Sequence, residues 1–283
     1  MKEKKRKSKF LSKIIFSLFI IIILYCFLET NYLDWVKNKF YELYNNREEI
    51  ISNIEAEVKP SVNTDAVFSE SIKDKIIIDD SKLNILFLDV GQADCEVVLC
   101  DNKVLMIDAG NTYDGKNIVN GLKELGIEKI DYLIGTHAHE DHVGGISYII
   151  DSFEIDNFYM PKYNNIDFKF YDKVINSAKN KSLEIKSANI GDKFELGKAS
   201  FEIMNVDNNM PENINDSSIV VELTYGDLKY LFMADSEETS EKSRSWDDVD
   251  LLKVGHHGSS SSTSEEFLNQ TLPEISVITV RRK

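Results

Sequence analysis

Cysteine is scarce in this sequence: 283 residues contain only three. Cys95 and Cys100 are five positions apart on a predicted strand, so their side chains face opposite sides, and Cys26 lies in an apolar run. These cysteines do not form a disulfide framework, and we interpret the two later ones as ordinary thiols of the core or near the surface. A clear internal repeat and a long low-complexity tract are also absent from the sequence.

Basic residues are few beyond the N-terminus. Of the 33 Lys and Arg residues, seven lie within residues 1–13, where Glu3 is the only acidic residue. The rest of the chain therefore has 26 basic and 47 acidic side chains, a net charge of −21. Such an excess keeps a domain soluble, but it disfavours sequence-independent binding of nucleic acid, which depends on neutralising phosphates.

One long apolar run is present, at residues 10–28, and only Ser12, Lys13 and Ser17 interrupt it. Its length of about 19 residues approaches the roughly 20 that span a bilayer as a helix. We predict a basic cytoplasmic tail at residues 1–9 and a single-pass transmembrane anchor at residues 10–29, with the later residues outside the cytoplasm. A cleaved signal peptide is the alternative, but the bulky residues 25–30 contain no small-x-small cleavage site.

Residues 30–82 are predicted to connect this anchor to the main domain. Residues 31–58 have helical spacing of apolar residues, with aromatic residues near the membrane end. This helix has three alternative roles: lying on lipid, self-association with a second copy, or packing on the main domain. Residues 60–82 have the polar composition of a linker.

From residue 83 the sequence becomes typical of an α+β domain, which we place at residues 83–283. Short apolar runs at residues 83–90, 96–100 and 104–108, and at 130–135, predict a first set of strands. Helices are predicted near residues 116–125, 141–151 and 168–180. A second set of strands is predicted at residues 199–203, 218–223, 229–233, 251–254 and 275–280. Two runs of strands with attached helices indicate two sheets packed face to face, with helices outside.

The segment Thr136–Gly145, THAHEDHVGG, contains three of the five histidines. His137 and His139 follow a predicted strand and point the same way, since residues two apart in an extended chain share a side. Asp141 and His142 would lie in the first turn of a helix and turn back toward the same point. Imidazoles and a carboxylate so close together suit zinc, with manganese and iron as alternatives. The simpler interpretation is a polar loop whose histidines cap a helix.

Four further polar residues follow the ends of predicted buried strands. His256 and His257 come after one strand, Asp108 after a second and Asp235 after a third. Charged residues at such positions usually have a partner. The alternatives are a helix N-cap for Asp235 and a turn residue for Asp108.

Together these motifs resemble the metallo-β-lactamase superfamily of hydrolases. Within it, LFLDVGQADCEVVL, THAHEDHVGG, NDSSIVVEL, YLFMADSE and LLKVGHHGSSSSTS are similar to the extracellular hydrolase domain of the ComEC competence DNA-uptake channels. The resemblance covers residues 83–283. It implies a four-layer αββα sandwich, here preceded by one transmembrane helix, with two divalent metal ions at one edge, zinc being expected first and manganese second.

The resemblance also implies roles for individual residues. His137 and His139 would bind one metal, Asp141 and His142 the second, and Asp235 both. His256 is our choice for the late ligand, with His257 supporting it or donating a proton to the leaving group, although the two could be exchanged. Asp108 would orient a ligand histidine, so the residues expected to support catalysis are Asp141, His257 and Asp108. Asp89 and Asp94 would belong to a loop that lines the site.

Two departures from the superfamily pattern affect this site. Many members supply a further histidine to the first metal, but this sequence has no histidine from 143 to 255. Asn215 or Asp216 lies in that interval and is the expected substitute. Relatives also continue with a Gly-His-Pro segment where this sequence has Val280-Arg281-Arg282-Lys283, so we expect part of the site wall to differ.

The sequence therefore predicts a membrane-anchored, extracytoplasmic hydrolase that uses a metal-activated water. Its expected substrate is a phosphodiester, either nucleic acid, a wall polymer or a small diester. A lactone or β-lactam is an alternative substrate. The alternative from another class is a non-catalytic partner of an envelope or DNA-uptake assembly that retains the fold.

Overall fold

The computed structural model describes residues 78–161, 163, 168–209 and 212–281. The predicted tail, the anchor at 10–29, the helix at 31–58 and most of the linker lie outside these residues. Within the described part of the chain, no helix is long and apolar enough to cross a membrane.

Short strands with alternating apolar residues form two six-stranded sheets, and the helices are mostly short. The strands are β1 (Asn84–Phe87), β2 (Glu96–Cys100), β3 (Lys103–Ile107), β4 (Lys129–Ile134), β5 (Glu154–Tyr159), β6 (Ile185–Lys186), β7 (Lys193–Leu196), β8 (Ala199–Asn205), β9 (Val220–Tyr225), β10 (Leu228–Phe232), β11 (Leu251–Lys253) and β12 (Ile275–Val277). The helices are α1 (Gly115–Glu124), α2 (Glu140–Val143), α3 (Ile146–Ser152), α4 (Lys169–Asn180), α5 (Glu238–Glu241) and α6 (Glu265–Thr271), with 3-10 turns at Ile214–Ser217 and Gly255–Gly258.

Both sheets are mixed and follow the same plan. The first has the order β1-β2-β3-β4-β5-β6, antiparallel from β1 to β3 and parallel from β3 to β6. The second has the order β12-β11-β10-β9-β8-β7, antiparallel from β7 to β10 and parallel from β10 to β12. Each sheet therefore has a parallel half whose strands end at a common edge.

Three hydrophobic clusters separate four layers. On β3, Leu105 and Ile107 face the cluster between the sheets, whereas Met106 faces the cluster shared with the helices, as the twofold period of a strand requires. The helices α1, α3 and α4 cover the outer face of the first sheet. Phe267 of α6 packs with Trp246 on the outer face of the second. The predicted α+β fold with two packed sheets is confirmed.

The structure differs from the predicted elements in one place that matters for the site. The single helix expected at residues 141–151 is two helices, α2 and α3, which meet at Gly144 and Gly145. A side chain on Gly144 would overlap the backbone nitrogen of Thr112, and one on Gly145 would overlap the carbonyl oxygen of Ala109. The chain turns here because this junction packs directly on the loop after β3.

Candidate metal centre

The polar residues singled out in the sequence meet at the carboxyl ends of the parallel strands. Asp108 follows β3, the H-x-H segment follows β4, Asp235 follows β10 and the two late histidines follow β11. Ligands of open α/β sheets bind outside these strand ends. The imidazoles form a continuous series, with ring centroids 4.7 Å apart for His137 and His139 and 4.2 Å apart for His137 and His142.

A first group of ligand atoms comes from His137, His139 and Asp235, which lie within 4.8 Å of one another. The Nε2 atom of His137 is 3.0 Å from Nδ1 of His139 and 3.8 Å from Oδ2 of Asp235. Its other ring nitrogen, Nδ1, is 3.1 Å from the Thr136 hydroxyl. His137 is thus anchored on one side and directed toward the group on the other.

A second group consists of Asp141, His142, Asp235 and His257. Oδ1 of Asp235 is 3.2 Å from Nε2 of His142 and 3.5 Å from Nε2 of His257, which is itself 3.4 Å from Oδ2 of Asp141. Ligand atoms at about 2.0 Å from a tetrahedral ion are roughly 3.3 Å apart, so these spacings fit a divalent ion.

Three polar atoms in this second group have no hydrogen-bond partner within the described part of the chain. They are Nε2 of His142, Nε2 of His257 and Oδ1 of Asp235, and all three are buried. Buried polar atoms are rarely left without a partner, because their lost hydration is costly. Their common orientation toward one point independently supports a metal site.

The late histidine in the second group is His257, whereas His256 is the one predicted from the sequence. The side chain of His257 is only 3% exposed, while that of His256 is 29% exposed. Both residues have left-handed backbone angles, with φ of 46° and 52°, and this turn directs the second ring inward. Backbone handedness is not visible in the sequence pattern, which explains the different choice.

Asp108 lies where the expected orienting role requires it. Its Oδ2 accepts a hydrogen bond from Nδ1 of His142 at 2.7 Å and from the Thr136 hydroxyl at 2.7 Å, and its Oδ1 accepts from the Thr136 backbone N–H at 2.8 Å. With Nδ1 bonded to Asp108, loss of the proton on Nε2 would leave the Nε2 lone pair of His142 directed toward the second group.

Asp94, Asp108 and His142 also lie close enough to hold an ion. The ammonium group of Lys253, however, is 2.8 Å from Oδ2 of Asp94 and therefore already supplies a positive charge there. Lys253 is 1% exposed. Burial lowers the pKa of Lys253, but the carboxylate of Asp94 raises it above its usual range, so this residue is charged.

The Lys253–Asp94 pair is connected to the second metal group. Oδ1 of Asp94 accepts a hydrogen bond from the Thr279 hydroxyl, and the Thr279 carbonyl oxygen is 3.0 Å from Nδ1 of His257. Lys253 and Thr279 are not among the site residues predicted from the sequence. A lysine within the apolar run of β11 was the available signal, because lysine is seldom buried without a partner. Asp89, in the same predicted loop as Asp94, is exposed.

The protonation states suit cation binding. Burial alone would raise the pKa of Asp235, but the imidazoles of His142, His137 and His257 hold it far below its ordinary value. Burial lowers the pKa of His137 well below its ordinary value. Burial would also lower that of His142, but Asp235 and Asp108 raise it well above. His142 must therefore lose a proton when it binds a metal ion.

Asn215 and Asp216 lie in the 3-10 turn before β9. The Oδ1 atoms of both are buried without a hydrogen-bond partner in the residues that the structure describes. Nδ2 of Asn215 donates to Oε1 of Glu237 at 3.0 Å. Tyr163, which the sequence analysis also missed, accepts a hydrogen bond from the backbone N–H of Ala138 at 3.1 Å and so fixes the H-x-H segment.

Two ligand groups that share one aspartate, at the edge of two packed sheets, define the class of binuclear metal-dependent hydrolases. A family model described as the metallo-beta-lactamase superfamily matches residues 88–279. The chain belongs to this superfamily, and it is a metallo-β-lactamase-fold hydrolase.

Comparison with known proteins confirms the resemblance to ComEC-type proteins. The chain is 27% identical to ComE operon protein 3 of Bacillus subtilis over 68% of its length, and 28% identical to Recombination protein 2 of Haemophilus influenzae over 69%. It spans 27% and 24% of these relatives. A shorter match is to Ribonuclease J of Synechocystis, which is 36% identical over 83 residues. This match covers 26% of the chain and 13% of Ribonuclease J.

Proposed function

We propose that this protein is a membrane-anchored, extracytoplasmic phosphodiesterase that uses two divalent metal ions, with zinc preferred over manganese. The observation that carries this proposal is the carboxylate of Asp235, whose two oxygens face different ligand groups. His137 and His139 would hold the first ion with Oδ2. Asp141, His142 and His257 would hold the second with Oδ1.

Two ions bound in this way would supply an activated water as nucleophile and would neutralise the negative charge that develops on a phosphodiester under attack. The chain itself orients the ligands. Asp108 fixes the ring of His142, and Thr279 fixes that of His257, so both rings would bind the second ion through Nε2. Burial of His137 and Asp235 excludes water from the inner side of the site.

An open groove of about 730 Å³ lies beside Asp141 and supports a phosphodiester substrate. It is lined by Val90, Gly91, Gln92, Asn111, Tyr113, Asp114, Glu140 and Arg281. Among the residues that the structure describes, Arg281 is the only basic one in this lining, and it can pair with a phosphate oxygen. The carboxylates of Asp114 and Glu140 disfavour a second phosphate close by, which favours a short diester over a long polyanion.

The name of one relative points to the same chemistry. Ribonuclease J is named for cleavage of RNA, whose nucleotides are joined by phosphodiesters. Because the chain spans only about a quarter of the ComEC-type relatives, their whole activities are not transferred to it.

The activity is tested by hydrolysis of bis(p-nitrophenyl) phosphate by the purified full chain, with zinc or manganese added after removal of bound metal. We expect metal-dependent turnover that falls by at least about 100-fold in Asp141→Ala and His139→Ala, since even the loss of residues that only orient ligands costs 10–100-fold. Asp151→Ala, an exposed aspartate on α3, is the matched control and should retain full activity.

Three results would contradict this function. Turnover of a β-lactam or a lactone without any phosphodiester would make the protein a hydrolase of another substrate class. Bound metal without turnover of any of these substrates would support a non-catalytic partner. Equal turnover in Asp141→Ala and in the unchanged protein would place the reaction elsewhere.

The location is tested separately, on cells that express the full chain. We expect the protein to remain with membranes after alkaline carbonate extraction, because residues 10–29 form the proposed anchor. Protease added to intact cells from which the wall has been removed should digest residues 83–283. Complete protection from the protease would contradict an extracytoplasmic domain.

A further inference from the structure

The first metal group has fewer ligands than the second. His137, His139 and Asp235 form it, whereas four residues form the second. Many superfamily members supply a further histidine to the first metal, and this sequence has no histidine from 143 to 255. We propose that His256 is the additional ligand of the first metal, so that two adjacent histidines each serve a different ion.

The backbone separates the two rings. His256 and His257 are both in the left-handed region, with φ, ψ of 46°, 47° and 52°, 28°. The left-handed region is unfavourable for residues other than glycine. Strain of this kind concentrates at functional sites. The rings lie 6.2 Å apart between centroids, with their planes inclined at 66°.

The two rings face different oxygens of the same aspartate. Nε2 of His257 is 3.5 Å from Oδ1 of Asp235, the oxygen beside His142. Nε2 of His256 is 3.7 Å from Oδ2, the oxygen that is also 3.8 Å from Nε2 of His137. Since Oδ2 belongs to the first group and Oδ1 to the second, the neighbouring histidines are divided between the groups.

His256 is anchored as a metal-binding histidine usually is. Its Nδ1 is 3.0 Å from Oε1 of Glu237, and because a carboxylate only accepts, Nδ1 is the donor and Nε2 is left with its lone pair. Glu237 is itself held by the side-chain amides of Asn213 and Asn215, at 3.0 Å each. The hydroxyl of Ser261 lies 3.2 Å from the same Nδ1.

This assignment explains why the first group looks incomplete. His256 is not yet within 4.8 Å of every atom of that group, and its ring is partly exposed. Its Nε2 is 3.7 Å from Oδ2 of Asp235, slightly wider than the roughly 3.3 Å between ligands of a tetrahedral ion. Completing the site would therefore need a small inward shift of this ring.

The experiment measures metal binding by the full chain and rests on the proposed binuclear site, but not on catalysis. Metal-free protein is titrated with Co²⁺, and bound metal, affinity and the visible absorption spectrum are recorded. His256→Gly and His257→Gly form a matched pair, because glycine adopts both left-handed positions without strain. We expect each variant to lose one of two Co²⁺ ions, or to bind it at least 10-fold more weakly, with different spectral changes.

Double variants assign each histidine to its ion. In a His137→Ala background, His256→Gly should cause no further loss, since both residues would serve the same ion, whereas in a His142→Ala background it should remove the remaining ion. Glu237→Gln should weaken the first ion by about 10–100-fold. Thermal unfolding of the metal-free variants checks that they fold.

Unchanged binding of both ions by His256→Gly would overturn the inference. If that variant bound both ions but cleaved only diesters with poor leaving groups more slowly, His256 would instead be a proton donor to the leaving group. The first ion could also be lost in Asn215→Ala or Asp216→Ala while His256→Gly keeps it. That result would assign the additional ligand to the turn before β9 instead. Two bound ions without turnover would leave the inference intact and contradict only the proposed function.

Discussion

Glu96 is a carboxyl group enclosed at the start of β2. The residue is 1% exposed, and its Oε1 has no hydrogen-bond partner in the part of the chain that the structure describes. Burial raises its pKa well above the ordinary value, and the nearby charge of Asp94 raises it further. Glu96 is therefore protonated in the folded protein under conditions in which the unfolded chain has lost that proton.

This difference predicts how stability depends on pH. Above about pH 4.5 Glu96 holds a proton in the folded state that it has lost in the unfolded state. Through this group the free energy of unfolding should fall as pH rises, by about 1.4 kcal/mol per pH unit. The fall should end at the pKa of Glu96 in the folded protein. Glu96→Gln should make the slope less negative by about this amount and should be more stable at pH 7 than the unchanged protein. Urea unfolding of the metal-free protein at pH 5, 6 and 7 measures how the free energy of unfolding changes with pH.

The exposed Glu195 of β7 provides the control. Glu195→Gln should leave the slope unchanged, because this side chain is exposed to solvent in the folded protein as it is in the unfolded chain. A slope in Glu96→Gln equal to that of the unchanged protein would show that Glu96 is ionised in the fold, with Lys253 as its counter-charge.

Lys253 gives a second prediction at the level of a single residue. Lys253→Met should lower the free energy of unfolding by about 3–5 kcal/mol, because it leaves the buried charge of Asp94 without its partner. Denaturant unfolding measures the loss. The double variant Lys253→Met with Asp94→Asn should recover part of it, and an equally large loss in the double variant would mean that packing rather than charge is responsible.

Among the elements, the junction of α2 and α3 connects the metal ligands to the loop after β3. The backbone N–H of Ala109 donates to the carbonyl of His142 at 2.8 Å, and that of Gly145 donates to Gly110 at 3.2 Å. Because the two segments touch at Gly145, the position of His142 depends on the absence of a side chain there.

Gly145→Ala should therefore push α2 away from Asp108. We expect a loss of about 1–3 kcal/mol in the free energy of unfolding, as for other side chains forced into filled space. The affinity for the second metal ion should fall as well, since the bond between His142 and Asp108 would lengthen. Asp151→Ala, at the exposed end of α3, is the control for both measurements. An unchanged metal affinity in Gly145→Ala would show that the junction of α2 and α3 does not control the position of the metal ligands.

Much of this edge could be predicted, because each site strand is an apolar run that ends in a polar residue. The apolar runs before Asp108, His137 and Asp235 predicted these strands, and the polar residues at their ends predicted a common edge. The strands β5 and β7 were missed, since EIDNFY and KFEL have too few apolar residues to stand out. The inward direction of His257 was also missed, because it depends on backbone angles that no local pattern encodes.

At the scale of the whole molecule, the metal ligands come from both sheets. His137, His139 and His142 follow a strand of the first sheet, and Asp235 and His257 follow strands of the second. Bound ions would therefore cross-link the two sheets and stabilise the folded state only.

Thermal unfolding of the full chain measures this stabilisation. Metal at 100 times its dissociation constant should add about 2.7 kcal/mol, which corresponds to a rise of roughly 5–11 °C in Tm, and a chelator should reverse it. Asp235→Ala, which removes the ligand common to both groups, should show little rise. The same rise in Asp235→Ala would place the stabilising ion outside the proposed centre.

The buried ammonium of Lys253 has a consequence for periods when metal is scarce. It is covalently part of the chain, so neither chelation nor dilution takes it away, and it continues to offset the neighbouring carboxylates after dissociable ions have left. The protein should then persist as a folded apoprotein that recovers its ions once they return, without a new round of folding.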